Sequence, residues 1–192
     1  MAAIKDPLKK LVALLDPPRA PVEVPGARDW SAVECFLGTS LPADYKRFVA
    51  TYGTGLISDH LQVMNPFSTV RPWFQRMRGD LGALHAARWN QQPSGEALNS
   101  VPYPIFPEAK GLLPWGFTYN GDLLCWRTDR HPDTWTVVAS TRSWRYAEYA
   151  GTMSELLVDL LSEKISWSIW EAGAHEVPSR PTFTPTALQT ET

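Results

Sequence analysis

The chain has 192 residues, of which 44% are hydrophobic and 20% are charged, and its formal net charge is −2 at pH 7. This length fits one domain with a substantial core, and the composition is typical of a soluble globular protein. A charge so close to zero gives no broad electrostatic basis for binding nucleic acid, and no apolar run approaches the length of a membrane-spanning helix. We therefore expect no nucleic-acid partner and no membrane association.

The two cysteines, Cys35 and Cys125, are too few and too far apart for a disulfide framework or a zinc site. This favours free thiols in a reducing compartment. The amino-terminal sequence MAAIKDPLKKLVALL lacks the charged leader, apolar core and small-residue cleavage site of a signal peptide. We expect a cytoplasmic protein that needs no metal and no cofactor.

The first predicted element is a helix that Asp6 caps and Pro7 opens. Its apolar residues recur at helical spacing and are Leu8, Leu11, Val12 and Leu15. Residues 17–28 follow with four prolines and few large side chains. Residues 1–28 are therefore predicted to form an N-terminal helix and an extended, proline-rich connector.

Two short helices are predicted between residues 30 and 53. Ser31 and Glu34 fit a capping box at the start of the first helix, which Gly38 ends. Pro42 opens the second helix, and Gly53 is a C-terminal stop. The apolar positions of the second helix fall at i, i+3, i+4 and i+7 and are Tyr45, Phe48, Val49 and Tyr52.

The middle of the chain is less clearly patterned. Residues 55–65 predict one strand or two short ones. A further helical stretch begins at Arg71-Pro72 and extends to about residue 92, although Gly79 and Gly82 weaken it. Its apolar side is formed by Trp73, Met77, Leu81 and Leu84. Residues 91–111 show no clear period and are predicted as a loop.

Consecutive hairpins are predicted after residue 111. The Asn120-Gly121 pair suits a two-residue turn with positive φ at both positions. Strands over 123–126 and 135–139 follow, with a further strand near 144–146, and together they predict an antiparallel meander. Thr152 and Glu155 fit a capping box for a final, leucine-rich helix.

The predicted fold class is α+β, an antiparallel sheet with helices packed on one side. We expect one domain over residues 29–172. From residue 173 the chain is rich in threonine and proline, so we expect residues 173–192 to be a disordered tail.

Catalytic chemistry has little support in the sequence. The four histidines are scattered, and the chain contains no glycine-rich phosphate-binding loop. Cys125, His131 and Asp129 can be written as nucleophile, base and orienting group. Cys125, however, falls in an apolar strand, where a packed thiol is the usual finding. We expect no catalytic residue and no metal ligand. A small hydrolase that uses Cys125 is the weakest of the three functions considered for this chain.

A series of motifs occurs in a fixed order between Trp30 and Ile165. The first part consists of Trp30 with its short helix, the leucine-proline helix start at 41–45 with Phe48, and residues 52–55. The second part consists of residues 112–116, 120–122 and 125–126, then Trp144, Tyr146 and the leucine-rich helix. In this combination and order, the series resembles the SUKH (Smi1/Knr4) superfamily.

This resemblance implies a non-enzymatic fold that binds partner proteins. In bacteria such proteins often neutralise toxins delivered between cells, and the superfamily's fungal members act in cell-wall regulation. We therefore expect an immunity protein that blocks the active surface of a cognate toxin domain. The alternative is a regulatory or scaffold protein in cell-wall or signalling control. The proline-rich connectors and the thinly patterned stretch 71–111 depart from the family pattern and leave the partner open.

Candidate partner contacts are large or charged groups near predicted sheet edges and hairpin ends, because such groups dominate interface energetics. They are Trp73, Arg76, Tyr119, Asp122, Arg127 and Asp129. Charge is also uneven, with four arginines against one acid over 71–92 and six acids against Lys164 over 148–176. The simplest interpretation is two solvated helix faces. One alternative is that the acidic stretch faces a basic toxin, and another is that the arginines with Trp73 and Trp89 contact an acidic or mixed partner.

Overall fold

The structure is a computed structural model that describes residues 6–26, 29–69, 72–89, 101–166 and 180–186. The helices in these ranges are α1 (Pro7–Leu14), α2 (Asp29–Leu37), α3 (Ala43–Tyr52), α4 (Trp73–Trp89) and α5 (Met153–Leu161). The strands are β1 (Gly55–Ile57), β2 (Leu61–Val63), β3 (Leu112–Thr118), β4 (Leu123–Arg127), β5 (Thr136–Ser140), β6 (Tyr146–Tyr149) and β7 (Phe183–Pro185). A 3₁₀ turn, Pro132–Thr134, lies between β4 and β5.

The seven strands form one antiparallel sheet in the order β6-β5-β4-β3-β2-β1-β7. Strands β1 to β5 each pair with the next strand along the chain and so form a meander, in which the connection between β2 and β3 is long and contains α4. Strand β7 adds to the outer edge of β1. The predicted α+β class with an antiparallel meander is confirmed.

Most of the main core lies on the face of the sheet that carries helices α1, α3 and α5, and Trp73 and Met77 of α4 also belong to this core. Trp126 of β4 lies at its centre. The ring of Tyr45 from α3 meets the Trp126 ring edge-on, with centroids 4.9 Å apart. Trp115 and Trp135 lie on its other sides, with centroid distances of 6.2 and 5.7 Å. Such edge-on and tilted contacts are favourable arrangements for aromatic rings.

Helix α4 covers part of the opposite face. Successive residues of a strand point to opposite faces, so Cys125 and its cross-strand partner Val138 point away from Trp126. These two side chains pack against Leu84 and Ala87 of α4 in a second, smaller core. The sheet is therefore enclosed by three helices on one face and by α4 on the other.

Helix α1 is part of the main core. Leu8, Leu11 and Leu15 are all buried there, and the Tyr52 hydroxyl donates a 2.7 Å hydrogen bond to the Leu15 carbonyl. The connector after α1 also packs on the domain, because the Thr54 amide donates to the Val22 carbonyl over 3.0 Å. A Cβ on Gly53 would come within 2.0 Å of that carbonyl oxygen, so only glycine fits this contact. The segment predicted as a separate helix and connector is thus built into the domain.

Two local predictions about turns and caps are wrong. Helix α2 begins at Asp29, and the Glu34 carboxylate accepts hydrogen bonds from the Leu41 amide and from the Lys46 ammonium group at 2.8 and 2.7 Å. Glu34 therefore joins α2 to α3 and does not form a capping box with Ser31. In the β3–β4 hairpin, only Gly121 has positive φ, at 84°.

That hairpin is a turn followed by a left-handed glycine. The Gly121 amide donates to the Thr118 carbonyl over 2.9 Å, so Tyr119 and Asn120 occupy the two central positions of the turn. A turn of this kind followed by a left-handed glycine is the standard three-residue hairpin loop. The two-residue Asn120-Gly121 turn is therefore replaced by a loop that is one residue longer.

Of the predicted disordered tail, residues 180–186 are described and contain a strand, whereas residues 173–179 and 187–192 lie outside the described part of the chain. Phe183–Pro185 forms strand β7, with Phe183 opposite Ile57 and Pro185 opposite Gly55. The segment is ordered because β1 offers a free strand edge and because the Phe183 ring lies 5.1 Å from the Tyr52 ring. Neither feature can be recognised in the threonine- and proline-rich composition of the tail.

Helix α3 receives its N-terminal cap from a distant part of the chain. Pro42 provides no side-chain cap, and the Asp133 carboxylate accepts a 2.7 Å hydrogen bond from the Ala43 amide. Asp44 in turn accepts a 2.9 Å bond from the Ser154 amide at the start of α5. The α3 and α5 termini are thus held by acidic side chains that lie 90 and 110 residues away.

Substitution of Asp133 with alanine should lower the free energy of unfolding by about 1 kcal/mol, since a helix N-terminus loses its acceptor. Chemical denaturation followed by circular dichroism would measure this loss. Asp129→Ala is the matched control, because its carboxylate accepts a hydrogen bond only from the neighbouring Arg130 amide among the described contacts. An equal effect of the two substitutions would contradict the assignment of Asp133 as the cap.

Substitution of Gly79 and Gly82 with alanine should stabilise the protein by roughly 0.5–1 kcal/mol per site. Both glycines lie inside α4, where alanine is the better helix former, and a Cβ at either position meets no atom within 4 Å. The same denaturation experiment applies, and the unfolding midpoint should rise. A lower unfolding midpoint would contradict the assignment of open space beside these two glycines.

Candidate functional site

The six predicted contact residues do not form one site. Trp73 and Arg76 lie on the first turns of α4, whereas Tyr119 and Asp122 belong to the β3–β4 hairpin loop. Arg127 and Asp129 lie at the other end of β4, about 17 Å from the hairpin loop at the usual rise of a strand. The six residues therefore belong to three separate regions of the surface.

In the hairpin loop, Asp122 has a structural role. It is only 3% exposed, and its carboxylate accepts hydrogen bonds from the Thr118 hydroxyl at 2.9 Å and the Arg142 amide at 3.2 Å. These bonds join the β3–β4 loop to the β5–β6 loop, so Asp122 does not lie at an exposed rim. Tyr119, at the tip of the same loop, is 81% exposed and remains available for a partner.

At the far end of β4, Arg127 and Asp129 are both accessible but already make contacts within the chain. The Arg127 guanidinium lies 3.7 Å from the Glu148 carboxylate and 6.0 Å from the Tyr103 ring centroid. The backbone carbonyl of Asp129 accepts a 2.7 Å hydrogen bond from the Trp135 indole. No pocket that the structure describes is lined by either residue.

A pocket of about 270 Å³ lies between the start of α4 and the sheet. Trp73, which is 8% exposed, forms a wall of this pocket and does not protrude from the surface. Gln62 of β2 and Phe117 of β3 pair across the sheet and line the same pocket. The remaining lining residues come from the β2–α4 connection and α4 and are Met64, Asn65, Ser68, Pro72, Gln75 and Arg76.

Arg76 places a cation at this mostly apolar pocket. Its guanidinium lies 4.0 Å from the Phe117 ring centroid, and its Nε donates a 2.7 Å hydrogen bond to Asp80 one turn later. Burial raises the pKa of Asp80 above its ordinary value, and the nearby Arg76 opposes that rise only in part. A guanidinium has five N–H donors, so the contact with Asp80 leaves donors available for a second acceptor.

Two exposed phenylalanines lie on the other flank of α4. Phe36 of α2 and Phe74 of α4 are 58% and 38% exposed, and their rings pack edge-on with centroids 4.6 Å apart. The Arg78 guanidinium lies 5.5 Å from the Phe74 ring centroid. Among the described residues, Arg78 has no acidic partner. Exposed aromatic rings beside an unpaired arginine are typical of protein interfaces.

The pocket and the phenylalanine pair lie on two flanks of one helix. Trp73 and Arg76 are three residues apart and share one face, whereas Phe74 and Arg78 are four apart and share another. A helix with its side chains is about 10 Å wide. A standard protein interface covers about 800 Å² on each partner, so one partner can contact both flanks. We call this region, formed by the pocket with Arg76 and by Phe36, Phe74 and Arg78, the α4 surface.

The sequence contained a signal for Phe74 but none for Phe36. The predicted apolar side of α4 is spaced by three or four residues, and Phe74 lies next to it, one position after Trp73. An aromatic residue outside the apolar stripe of an amphipathic helix is a candidate for surface exposure. Phe36 shares helical spacing with Val33 and Leu37, which predicts a core-facing side chain, yet α2 has no buried residue on any face.

Several charges of the two uneven stretches are paired within the described part of the fold. In α4, Arg76 pairs with Asp80, and Arg88 pairs with Glu108 at 2.6 Å. In the acidic stretch, Glu155 closes the confirmed capping box with Thr152. The Asp159 carboxylate accepts hydrogen bonds from Tyr149 and Lys164, which hold its pKa below its ordinary value. These pairings favour the simpler interpretation of solvated, internally paired helix faces.

The Cys125 thiol is fully buried, and burial with the charge of Asp80 nearby raises its pKa well above the ordinary value. A protonated thiol without solvent access is a poor nucleophile. Within the described ranges, no three His, Cys, Asp or Glu side chains come together as metal ligands would. None of the helices described in the structure combines the length and the apolar character that crossing a membrane requires.

Comparisons of the chain with protein-family models, with curated proteins and with solved structures found no match. The resemblance to the SUKH superfamily therefore stays a prediction that depends on its motifs. The α4 surface is the candidate site because it combines a pocket, exposed aromatic rings and arginine donors within one region of the described chain.

Substitution of Asp122 with alanine should lower the free energy of unfolding by about 1–3 kcal/mol, because two donors lose their buried acceptor. Tyr119→Ala, three residues away on the exposed tip, should change stability by less than about 0.5 kcal/mol. Both values can be obtained from urea denaturation. Equal effects would mean that Asp122 does not connect the two loops.

Proposed function

We propose that this protein is a non-enzymatic binding domain that neutralises a cognate bacterial toxin by covering the toxin's active surface. The observation that carries the proposal is the α4 surface, where two exposed phenylalanines, and an arginine without an acidic partner among the described residues, lie beside a pocket with a second arginine. The motif order that resembles the SUKH superfamily supports the choice of a toxin as the partner. Inhibition requires tight binding and no chemistry on the part of this chain.

The partner's contact region is expected to present an apolar side chain between carboxylates. An apolar group fits the pocket, whose walls include Met64, Trp73 and Phe117. Carboxylates complement Arg76 and Arg78 and form charge-assisted hydrogen bonds that are stronger than neutral ones. We therefore expect the partner's contact region to be acidic with an aromatic or aliphatic centre. A partner that faced residues 148–176 would instead need a basic surface.

Phe74 and Phe36 are the expected anchors. Large aromatic residues and arginines account for most binding energy at protein interfaces, whereas surrounding contacts mainly exclude water. The edge-on packing of the two rings fixes their orientation before binding, so less conformational entropy is lost when a partner covers them. This arrangement favours a preformed contact surface over one that is ordered by the partner.

The first experiment expresses the product of the adjacent open reading frame with and without this protein and measures cell survival. Rescue of survival, together with direct binding in calorimetry, would support the proposal. A neighbouring protein that is harmless or does not bind would argue against a toxin partner. Weak, salt-sensitive binding to several endogenous proteins would favour the regulatory alternative.

Phe74→Ala and Arg78→Ala should each weaken binding of that toxin at least about tenfold, which corresponds to about 1.4 kcal/mol. Calorimetric dissociation constants measure the effect, and circular dichroism verifies the fold. Arg130→Ala is the matched control, because this exposed arginine lies on the loop before the 3₁₀ turn, far along the chain from α4.

Tyr119→Ala distinguishes binding at the tip of the β3–β4 hairpin from binding at the α4 surface. If this substitution weakens binding while Phe74→Ala and Arg78→Ala do not, the contact lies on the hairpin tip and the α4 surface is not the site. Unchanged binding of all three variants would contradict both locations.

A further inference from the structure

Strand β7 is joined to the sheet along one side only. It pairs with β1, and two flanking hydrogen bonds extend the pairing, from the Ser58 amide to the Thr182 carbonyl at 2.7 Å and from the Thr186 amide to the Thr54 carbonyl at 3.1 Å. The opposite side of β7 carries no strand in the described sheet. Segment 182–186 therefore resembles an extended peptide that has been added to a sheet edge.

A specific socket receives the Phe183 ring. The ring lies 5.1 Å from the Tyr52 ring and 6.4 Å from the Phe48 ring, both on α3. The floor of the socket is Gly55, where a Cβ would lie 2.5 Å from Phe183 Cζ and 2.6 Å from the Thr184 carbonyl oxygen. Tyr52 is itself held by its hydrogen bond to Leu15. The socket is therefore formed by residues of the main core.

Beyond this ring, the segment makes few strong contacts with the other residues that the structure describes. Thr184 and Pro185 are exposed, and the Thr184 hydroxyl donates a 3.2 Å hydrogen bond to Asp59. The ion pair between Arg180 and Asp16 joins two side chains that are 81% and 77% exposed. Exposed ion pairs of this kind contribute little. The attachment of the segment thus depends on main-chain pairing and on one aromatic side chain.

This combination is the known physical basis of peptide recognition by strand addition. Main-chain hydrogen bonds supply affinity, and a pocket for alternate side chains supplies specificity. At this edge, an aromatic residue lies opposite Ile57, the next residue is exposed, and a proline lies opposite Gly55. An extended segment with an aromatic-X-Pro pattern reproduces all three features.

We propose that the outer edge of β1 with its socket is a strand-addition site for extended aromatic-X-Pro peptides, and that residues 180–186 occupy it as a tethered ligand. A peptide of the same pattern from another protein binds this edge when the chain's own segment leaves. Binding at this edge is separate from the α4 surface, because the edge is formed by β1 and α3 and the other surface by α2, α4 and the pocket.

Because residues 180–186 are covalently attached to the site, peptide binding has to be measured in a variant from which this segment is displaced. A covalently attached segment competes at an effective concentration on the order of millimolar, so a free peptide is largely excluded from the wild-type protein. Phe183→Ala removes the ring from the socket and leaves the rest of the chain intact. The probe is a fluorescein-labelled synthetic peptide of residues 180–186, RPTFTPT, and its binding is followed by fluorescence polarisation.

The full-length Phe183→Ala protein should bind this peptide at least about tenfold more tightly than the wild-type protein does. A peptide with alanine in place of the phenylalanine should not bind. Adding Gly55→Ala to the variant should abolish binding, because the new Cβ occupies the socket. Thr184→Ala in the chain is the matched control and should leave the wild-type behaviour unchanged.

Amide hydrogen exchange at Ser58 provides a second readout at the site itself. The Ser58 amide should exchange faster in Phe183→Ala and should regain protection when the peptide is added. Unchanged protection of Ser58 in the variant would show that the socket does not hold the segment and would overturn the proposal. The proposal would also be overturned if the Ser58 amide exchanges faster in Phe183→Ala but the peptide does not bind to this variant.

A failure of Phe183→Ala to fold would identify β7 as an integral part of the domain and would also overturn the proposal. None of these outcomes depends on the toxin. The strand-addition site and the proposed immunity function can therefore fail independently of each other.

Discussion

The burial of Trp126 at the centre of the sheet is the constraint on which the rest of the structure depends. Its ring is enclosed by Tyr45, Trp115 and Trp135, so α3, β3 and the loop before β5 must all meet at this point. The Tyr45 hydroxyl then donates a 2.6 Å hydrogen bond to the Met64 carbonyl, which fixes the end of β2 relative to α3. Aromatic side chains of this size supply much of the free energy of a core of this length.

A face filled by these rings and three helices leaves α4 and the strand edges as the places where another molecule can reach the sheet. The two proposed binding regions follow from this division. At the start of α4, the helix does not cover β2 and β3 completely, and the pocket beside Trp73 is the space that remains. At the other side, β1 would end the sheet if segment 180–186 did not pair with it. In both proposals the contacts are made by a surface or a strand edge, and the core holds these in place.

The sequence-based predictions of helix caps are correct where the two hydrogen-bonded residues are close along the chain, and they fail where the residues are far apart. The cap of α1 by Asp6 and the capping box of Thr152 and Glu155 were predicted and are confirmed, because both form between residues no more than three apart. Glu34 has an equally suitable local partner in Ser31, the other residue of the predicted capping box. Its carboxylate nevertheless contacts the Leu41 amide and Lys46. The Asp133 cap of α3 bridges 90 residues and has no signal in the local sequence.

The sequence by itself determined the class of the fold and most of its elements, because apolar periodicity and turn residues act within a few positions. It also indicated arginine and aromatic residues on α4 as contacts. Only the tertiary structure decided that Trp73 and Asp122 are buried while Phe36 and Phe74 are exposed, and that Phe183 has a socket. The physical reason is that exposure depends on which distant element covers a residue, and neither the facing element nor its position is encoded in the neighbouring residues.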